Sequence, residues 1–222
     1  MKLTFVSGTG TDVGKTYIAA NLAQILQREH RRVGVYKPVA SGCIGPSSNF
    51  SERTSSDADA LAQSLGEHVA PELICPQRFL APLAPDEAAR QEGTQVDTDL
   101  LYEGAVRWQR LCDHLVVEGA GGLFSPIADS MLNIDLYRKF SENREFETKL
   151  VLVAPNRLGV IHETVATCRA ARAEGVEVER LVLTATVPQG DDSCKTNAAQ
   201  LRVWLPELRI IEVGWQQAVV WN

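Results

Sequence analysis

No cysteine pair in this 222-residue chain has C-x-x-C spacing, and its five cysteines (Cys43, Cys75, Cys112, Cys168 and Cys194) are odd in number and widely separated. That argues against a disulfide framework or a zinc site and fits a reducing, cytoplasmic setting. No apolar run approaches the roughly 18 residues of a membrane span. The opening residues Met1 to Val6 run straight into a glycine-rich stretch, so no secretory leader is expected. Positive charge is not in excess either. The formal net charge is -6, which favours solubility and argues against partnership with nucleic acid or an anionic membrane. His30, His68 and His114 are scattered without metal-ligand spacing. With no repeat, low-complexity tract or linker, the length fits a single domain spanning 1–222.

What the chain does have is alternation. Leu3 to Ser7, Arg32 to Lys37, Leu115 to Glu118, Leu150 to Ala154 and Leu181 to Thr186 are short, near-continuous apolar runs rich in Val and Leu. Strands covered on both faces read this way. Arg209 to Val213 is a candidate last strand. Helical spacing predicts helices over Lys15 to Glu29, Asp57 to Leu65, Thr98 to Cys112, Gly159 to Glu174 and Cys194 to Trp204. Trp108 and Trp204 are expected to pack, and Glu142 to Glu147 to form a solvated loop. Strand followed by helix, repeated, predicts an open, mostly parallel α/β sheet with helices on both faces, of the P-loop NTPase type. Ser41 to Ser56 and Pro76 to Pro85 are long irregular connections of the kind that often carry function.

Gly8-Thr-Gly-Thr-Asp-Val-Gly-Lys15-Thr16 lies between the first strand and the first helix. Glycines let backbone N–H groups curl around phosphates, and the helix N-terminus adds the positive end of its dipole. Lys15 would reach the outer phosphates and the Thr16 hydroxyl would ligate Mg²⁺. A strict P-loop has Gly where Thr9 stands, so this is a variant with one extra residue. Asp12 faces the reacting end of the nucleotide or stabilises the turn.

Carboxylates near such a loop suit Mg²⁺, a hard cation. Glu118 stands at the carboxyl end of an apolar run, before Gly119-Ala-Gly-Gly122. Asp57 opens a helix after Ser55-Ser56; it reads equally as a metal ligand or as ordinary first-turn chemistry, with Asp59 as its competitor. Lys37, before Pro38, either points into the cleft, where it would neutralise charge in phosphoryl transfer, or is a surface lysine at a strand end. Ser41 follows it.

Three blocks, Gly8 to Thr16, Tyr36-Lys-Pro-Val-Ala-Ser-Gly42 and Val117-Glu-Gly-Ala-Gly-Gly122, resemble the ATP-dependent dethiobiotin synthetase family of biotin biosynthesis. Ser56-Asp-Ala58 looks like its metal-binding segment, Phe79 to Pro85 like its substrate loop, and Arg157-Leu-Gly-Val-Ile161 like a loop that reaches the substrate carboxylate across a dimer interface. The resemblance implies that diaminopelargonic acid, CO2 and ATP give dethiobiotin, ADP and phosphate, through a carbamate and a carbamic-phosphoric anhydride. It implies Lys15 and Lys37 as the catalytic pair, and Mg²⁺ on Thr16, Asp57 and Glu118. The nucleotide would meet Asp12, Val13, Gly14, Lys15, Thr16 and Tyr17, then Asp57, Glu118, Gly119, Ala120 and Gly121, and finally Thr184, Ala185, Val213 and Gly214. The substrate would meet Thr11, Ser41, Gly159, Val160 and Ile161. A homodimer is implied through the carboxylate loop.

The chain departs from the family pattern at Gly10 (usually Asp), Asp12 (often Glu), Asp86 (commonly His) and His162-Glu163 (commonly Asn-His). Thr184 stands where an adenine-reading Asn is usual, which predicts a relaxed nucleotide preference. Gly214-Trp215 replaces a Pro-Trp. Two other readings remain: a related ATP-dependent synthetase with another substrate, and a partitioning-type switch ATPase. The latter usually has a second lysine where Gly10 stands.

Overall fold

The computed structural model describes residues 1–29, 31–47, 49–66 and 69–221; His30 and His68 lie outside them. Strand β1 (Lys2–Gly8) leads into helix α1 (Lys15–Arg28), followed by β2 (Val33–Tyr36), α2 (Ser56–Leu65), α3 (Pro71–Ile74), α4 (Pro85–Gln91) and α5 (Thr98–Arg107). Next come β3 (His114–Gly122), β4 (Pro126–Ala128), β5 (Met131–Leu132), α6 (Asn133–Glu142) and β6 (Glu147–Pro155). The chain closes with α7 (Val160–Ala173), β7 (Arg180–Thr184), α8 (Asn197–Trp204) and β8 (Arg209–Val213).

Six strands form one parallel sheet in the order β2-β3-β1-β6-β7-β8. The two central strands are buried from Leu3 onward in β1 and from Leu150 onward in β6 because helices cover them, which is why those stretches are near-continuously apolar. Helix α1 packs over β1, β2 and β3 with α2 beside it, and α6 packs on β3 and β6. Phe5 of β1 meets Tyr137 edge-on at 5.9 Å and Phe140 at 6.2 Å between ring centroids, which seats α6 on the sheet, and Phe140 stacks on Tyr102 of α5 at 5.7 Å.

Several boundaries differ from expectation. Glu118 does not end its strand: β3 continues to Gly122 because Gly8 pairs with Gly122 beyond a register shift. The helix from Thr98 is α-helical only to Arg107 and tightens into a 3₁₀ turn at Trp108–Arg110. The helix expected from Cys194 starts at Asn197, after a separate 3₁₀ turn, Asp192–Lys195. Trp108 is buried against Gly34, as packing requires, but Trp204 is 57% exposed. Phe146, inside the stretch expected to be solvated, is buried. Helices α4 and α6 and the β4–β5 hairpin were not anticipated. No helix among the described residues is long and apolar enough to cross a membrane.

Candidate active site

The carboxyl ends of β1, β2 and β3 open onto one cleft of about 870 Å³, where ligands bind in open α/β sheets. The loop after β1 forms its floor. Gly14 has φ 93°, a left-handed conformation that glycine adopts without penalty. It lets α1 begin with no side-chain cap and no acidic residue in the first turn. The orphan N–H groups and the dipole of α1 are therefore free for an anion. Lys15 is buried, and its Nζ donates to Gly10 O at 2.8 Å across the loop. Burial, then repulsion from Lys37, brings it down to about 8. A phosphate beside it would favour the charged form further.

Lys37 follows β2 immediately. Its Nζ lies 2.7 Å from Glu118 Oε1 and 2.9 Å from Asp57 Oδ2, and it also donates to Gly119 O at 3.3 Å. Burial opposes its charge, but Glu118 and Asp57 outweigh burial and hold the ammonium above the usual lysine range. Asp57 is likewise penalised by burial, and Lys37 overcomes this to hold its carboxyl below the usual range. The Thr16 hydroxyl donates to Glu118 Oε1 at 2.9 Å. Glu118 Oε2 is buried with no hydrogen-bond partner. Thr16, Asp57, Glu118 and Lys37 thus converge from four separate segments, whereas Asp59 is exposed and points elsewhere.

Thr11, Asp12, Tyr17, Ser41, Ala120 and Gly121 also line the cleft. Asp12 has φ 57°, so it shapes the turn as well as facing the opening. Val13 is buried within the loop. Thr184, expected to face a base, lies beneath the loop: it is buried, and its hydroxyl donates to Val13 O at 2.6 Å. Its side chain is committed to holding the loop. Ala185 N–H donates to Val213 O at 2.8 Å, which places Gly214 next to it at the same edge of the sheet. Nearby, Tyr17 Oη donates to Gln217 O at 2.7 Å. Gly159, Val160 and Ile161 start α7 but do not line the chain's own cleft, and Leu158 before them is 75% exposed.

Asn133 was not anticipated. It is fully buried, and its Nδ2 donates to Ala120 O, Gly122 O and Ser125 O while its Oδ1 accepts from Ala120 N–H. It fixes the glycine segment after Glu118. Its sequence signal was an Asn before the helically spaced Ile134, Tyr137 and Phe140.

A glycine loop between strand and helix, with a buried lysine beside it and carboxylates converging on it from β3 and the first turn of α2, defines a P-loop nucleotide-binding domain. A family model described as an AAA domain matches residues 2–219. The chain is 44% identical to the ATP-dependent dethiobiotin synthetase BioD of Rhodopirellula baltica, over 91% of this chain and 80% of that one. It is 33% identical to the BioD of Bacillus subtilis, over 89% and 80%. The signal recognition particle receptor FtsY of Elizabethkingia anophelis shares the fold, with a TM-score of 0.53 and 14% identity; the match covers all of this chain but 62% of that one. The chain belongs to the ATP-dependent dethiobiotin synthetase family. These relatives do not favour the partitioning-type switch ATPase or a synthetase of another substrate.

Proposed function

We propose that this chain joins CO2 to diaminopelargonic acid at the expense of ATP, giving dethiobiotin, ADP and phosphate. The supporting observation is the buried Lys37, held by Glu118 and Asp57 beside the loop of Lys15. One substrate amine attacks CO2 and loses a proton, giving a carbamate. A carbamate oxygen attacks the γ-phosphorus and ADP leaves. The second amine attacks the carbamoyl carbon, the C–O bond to phosphate breaks, and the ureido ring closes.

Such chemistry asks the protein for alignment and charge neutralisation. Lys37 and Lys15 stand where negative charge collects on the carbamate and the transferring phosphoryl group. The α1 N-terminus holds the phosphates through backbone N–H groups. Thr11 and Ser41 present hydroxyls on the substrate side of the cleft. Thr16, Asp57 and Glu118 would hold Mg²⁺: the set is all hard oxygen, and the unpartnered Glu118 Oε2 fits a cation. When bound, that ion offsets charge on the phosphates. Ala185, Val213 and Gly214 form the base side. With the Thr184 hydroxyl committed to Val13, base selection there is weak, and CTP and GTP are expected to support turnover alongside ATP.

The exposed Leu158 and the uncapped start of α7, away from the chain's own cleft, support a homodimer in which Gly159 to Ile161 offer N–H groups to a partner's substrate carboxylate. Free cysteines throughout support a cytoplasmic location, and the acidic balance fits neither nucleic acid nor membrane as partner.

The test is purified protein with Mg-ATP, bicarbonate and diaminopelargonic acid, with dethiobiotin read by mass spectrometry. Product should require bicarbonate and be lost in Lys37→Ala. No product from protein that still binds ATP would overturn the assignment. Activity with ATP alone, among ATP, CTP and GTP, would overturn the relaxed preference.

A further inference from the structure

The two irregular connections, around Ser41 to Ser56 and Pro76 to Pro85, are built as one unit. Cys43 N–H donates to Phe79 O and Phe79 N–H to Ala40 O, both at 2.9 Å, and Gly42 N–H donates to Ala81 O at 3.0 Å. Ile44 and Thr54 pair in an antiparallel bridge. Gly45 between them has φ 148°, and a Cβ there would come within 2.8 Å of Arg53 Cα.

Arg53 sits at the centre, its side chain 0% exposed. Its Nη1 donates to Arg78 O at 2.7 Å and pairs with Glu92 Oε2 at 2.7 Å. Nε donates to Pro46 O at 3.2 Å and Nη2 to Ser47 O at 3.0 Å, and the guanidinium lies 4.0 Å from the Phe50 ring centroid. Arg78 Nη1 returns a hydrogen bond to Arg53 O at 2.8 Å. Glu92, just past α4, uses its other oxygen to accept Leu80 N–H at 2.7 Å. A buried ion pair is a poor way to gain stability alone, since desolvation offsets its attraction. Here, however, the guanidinium satisfies backbone carbonyls from both connections, a task that a planar fork of donors performs and an apolar residue cannot. These connections carry one wall of the cleft, with Ser41, Pro82, Leu83 and Ala84 on it, and Arg53 leads directly into Ser56 and Asp57.

We propose that Arg53 and Glu92 are positioning residues that fix the substrate-facing wall of the cleft without touching substrate. The proposal rests on the synthetase reading for the identity of that substrate. The phosphate floor comes from the loop after β1, to which Arg53 and Glu92 make no hydrogen bond, and Asp57 is held separately by Lys37. Loosening the clasp should therefore raise the KM for the diamine selectively.

The experiment compares wild type with Glu92→Gln, which keeps volume and an acceptor for Leu80 N–H but removes the charge. The milder Glu92→Asp serves should Glu92→Gln fail to fold. The KM for diaminopelargonic acid should rise about 10-fold or more, since small misplacements cost that much, while the KM for ATP stays within about 2-fold. Arg53→Lys, with charge but no fork, should show the same split. Amide hydrogen exchange should show lost protection at Cys43, Phe79 and Leu80, with that of α1 unchanged. A wild-type KM for the diamine, or equal rises for diamine and ATP, overturns the proposal. A wild type that forms no dethiobiotin defeats the synthetase reading instead. The exchange pattern then decides the clasp by itself, and unchanged protection at those three amides overturns it.

Discussion

Replacing Lys37 with methionine keeps most of the side-chain stem and deletes the charge. The Glu118 carboxylate, 1% exposed, is then left with the Thr16 hydroxyl at 2.9 Å as its named donor. Removing one partner of a buried pair costs about 3–5 kcal/mol, because the other charge stays buried without compensation. The second carboxylate, Asp57, is 43% exposed and adds little, at most about 1 kcal/mol. In a domain of this size each 1 kcal/mol moves Tm by about 2–4 °C, so Lys37→Met without nucleotide or metal should melt roughly 6–20 °C below wild type. Glu118→Gln should cost less, because Lys37 keeps Asp57 and Gly119 O as partners. Combining the two removes the stranded charge, so the double variant should be more stable than Lys37→Met alone, with a coupling of about 2–3 kcal/mol. Urea unfolding of wild type, both single variants and the double variant completes the cycle. Additive costs, or a Lys37→Met protein as stable as wild type, would refute the pairing.

His114 gives a pH dependence far from the cleft. Burial first, then the charges of Arg31, Lys2 and Lys149, push it down to about 4. Above about pH 6.5 both folded and unfolded chains hold it neutral and it contributes nothing. Below that the unfolded chain takes up a proton that the folded chain refuses, so stability falls with pH, by roughly 3 kcal/mol on reaching about pH 4. Urea midpoints near pH 7 and near pH 5 should separate in wild type and draw together in His114→Gln; an unchanged separation in the variant would sink this assignment. Thr184→Val leaves the buried Val13 carbonyl without the hydroxyl at 2.6 Å, at a cost of about 1–3 kcal/mol, and should weaken ADP binding in calorimetry, while Thr184→Ser should not. Equal ADP affinity in the valine variant would show that the loop stands without this support.

The sheet was legible because burial on both faces removes polar residues from its strands. Leu3 to Ser7 and Leu150 to Ala154 could hardly be anything else, and Arg209 to Val213 matches its strand residue for residue. Helix α6 was missed although its pattern is amphipathic: Ile134, Leu136, Tyr137 and Phe140 share one buried side, and Asp135, Arg138, Lys139 and Glu142 lie on the other. In the site, Lys15, Thr16 and Glu118 were legible from local motifs. Asp57 and Asp59 could not be separated, since both occupy the first turn of α2. Only the position of Lys37, brought in by β2, distinguishes them. Arg53 and Glu92 left no local signature, because what marks them is their pairing with each other and with backbone groups of two separate connections.

The buried donors beneath the phosphate loop and the segment after Glu118 share one physical cause. A loop that offers N–H groups to phosphate turns its carbonyls back into the protein, where each needs a donor. Lys15 supplies one to Gly10 O, Thr184 to Val13 O, Lys37 to Gly119 O, and Asn133 to Ala120 O and Gly122 O. Two of these donors are also the lysines proposed to meet the phosphoryl group and the carbamate. Thr184 and Asn133 have no such second task. Lys15 and Lys37 can therefore change partners when ligand arrives, while Thr184 and Asn133 hold the same loops from beneath. The motif residues alone do not fix the geometry of this site; the buried polar side chains of β7 and α6 are needed as well.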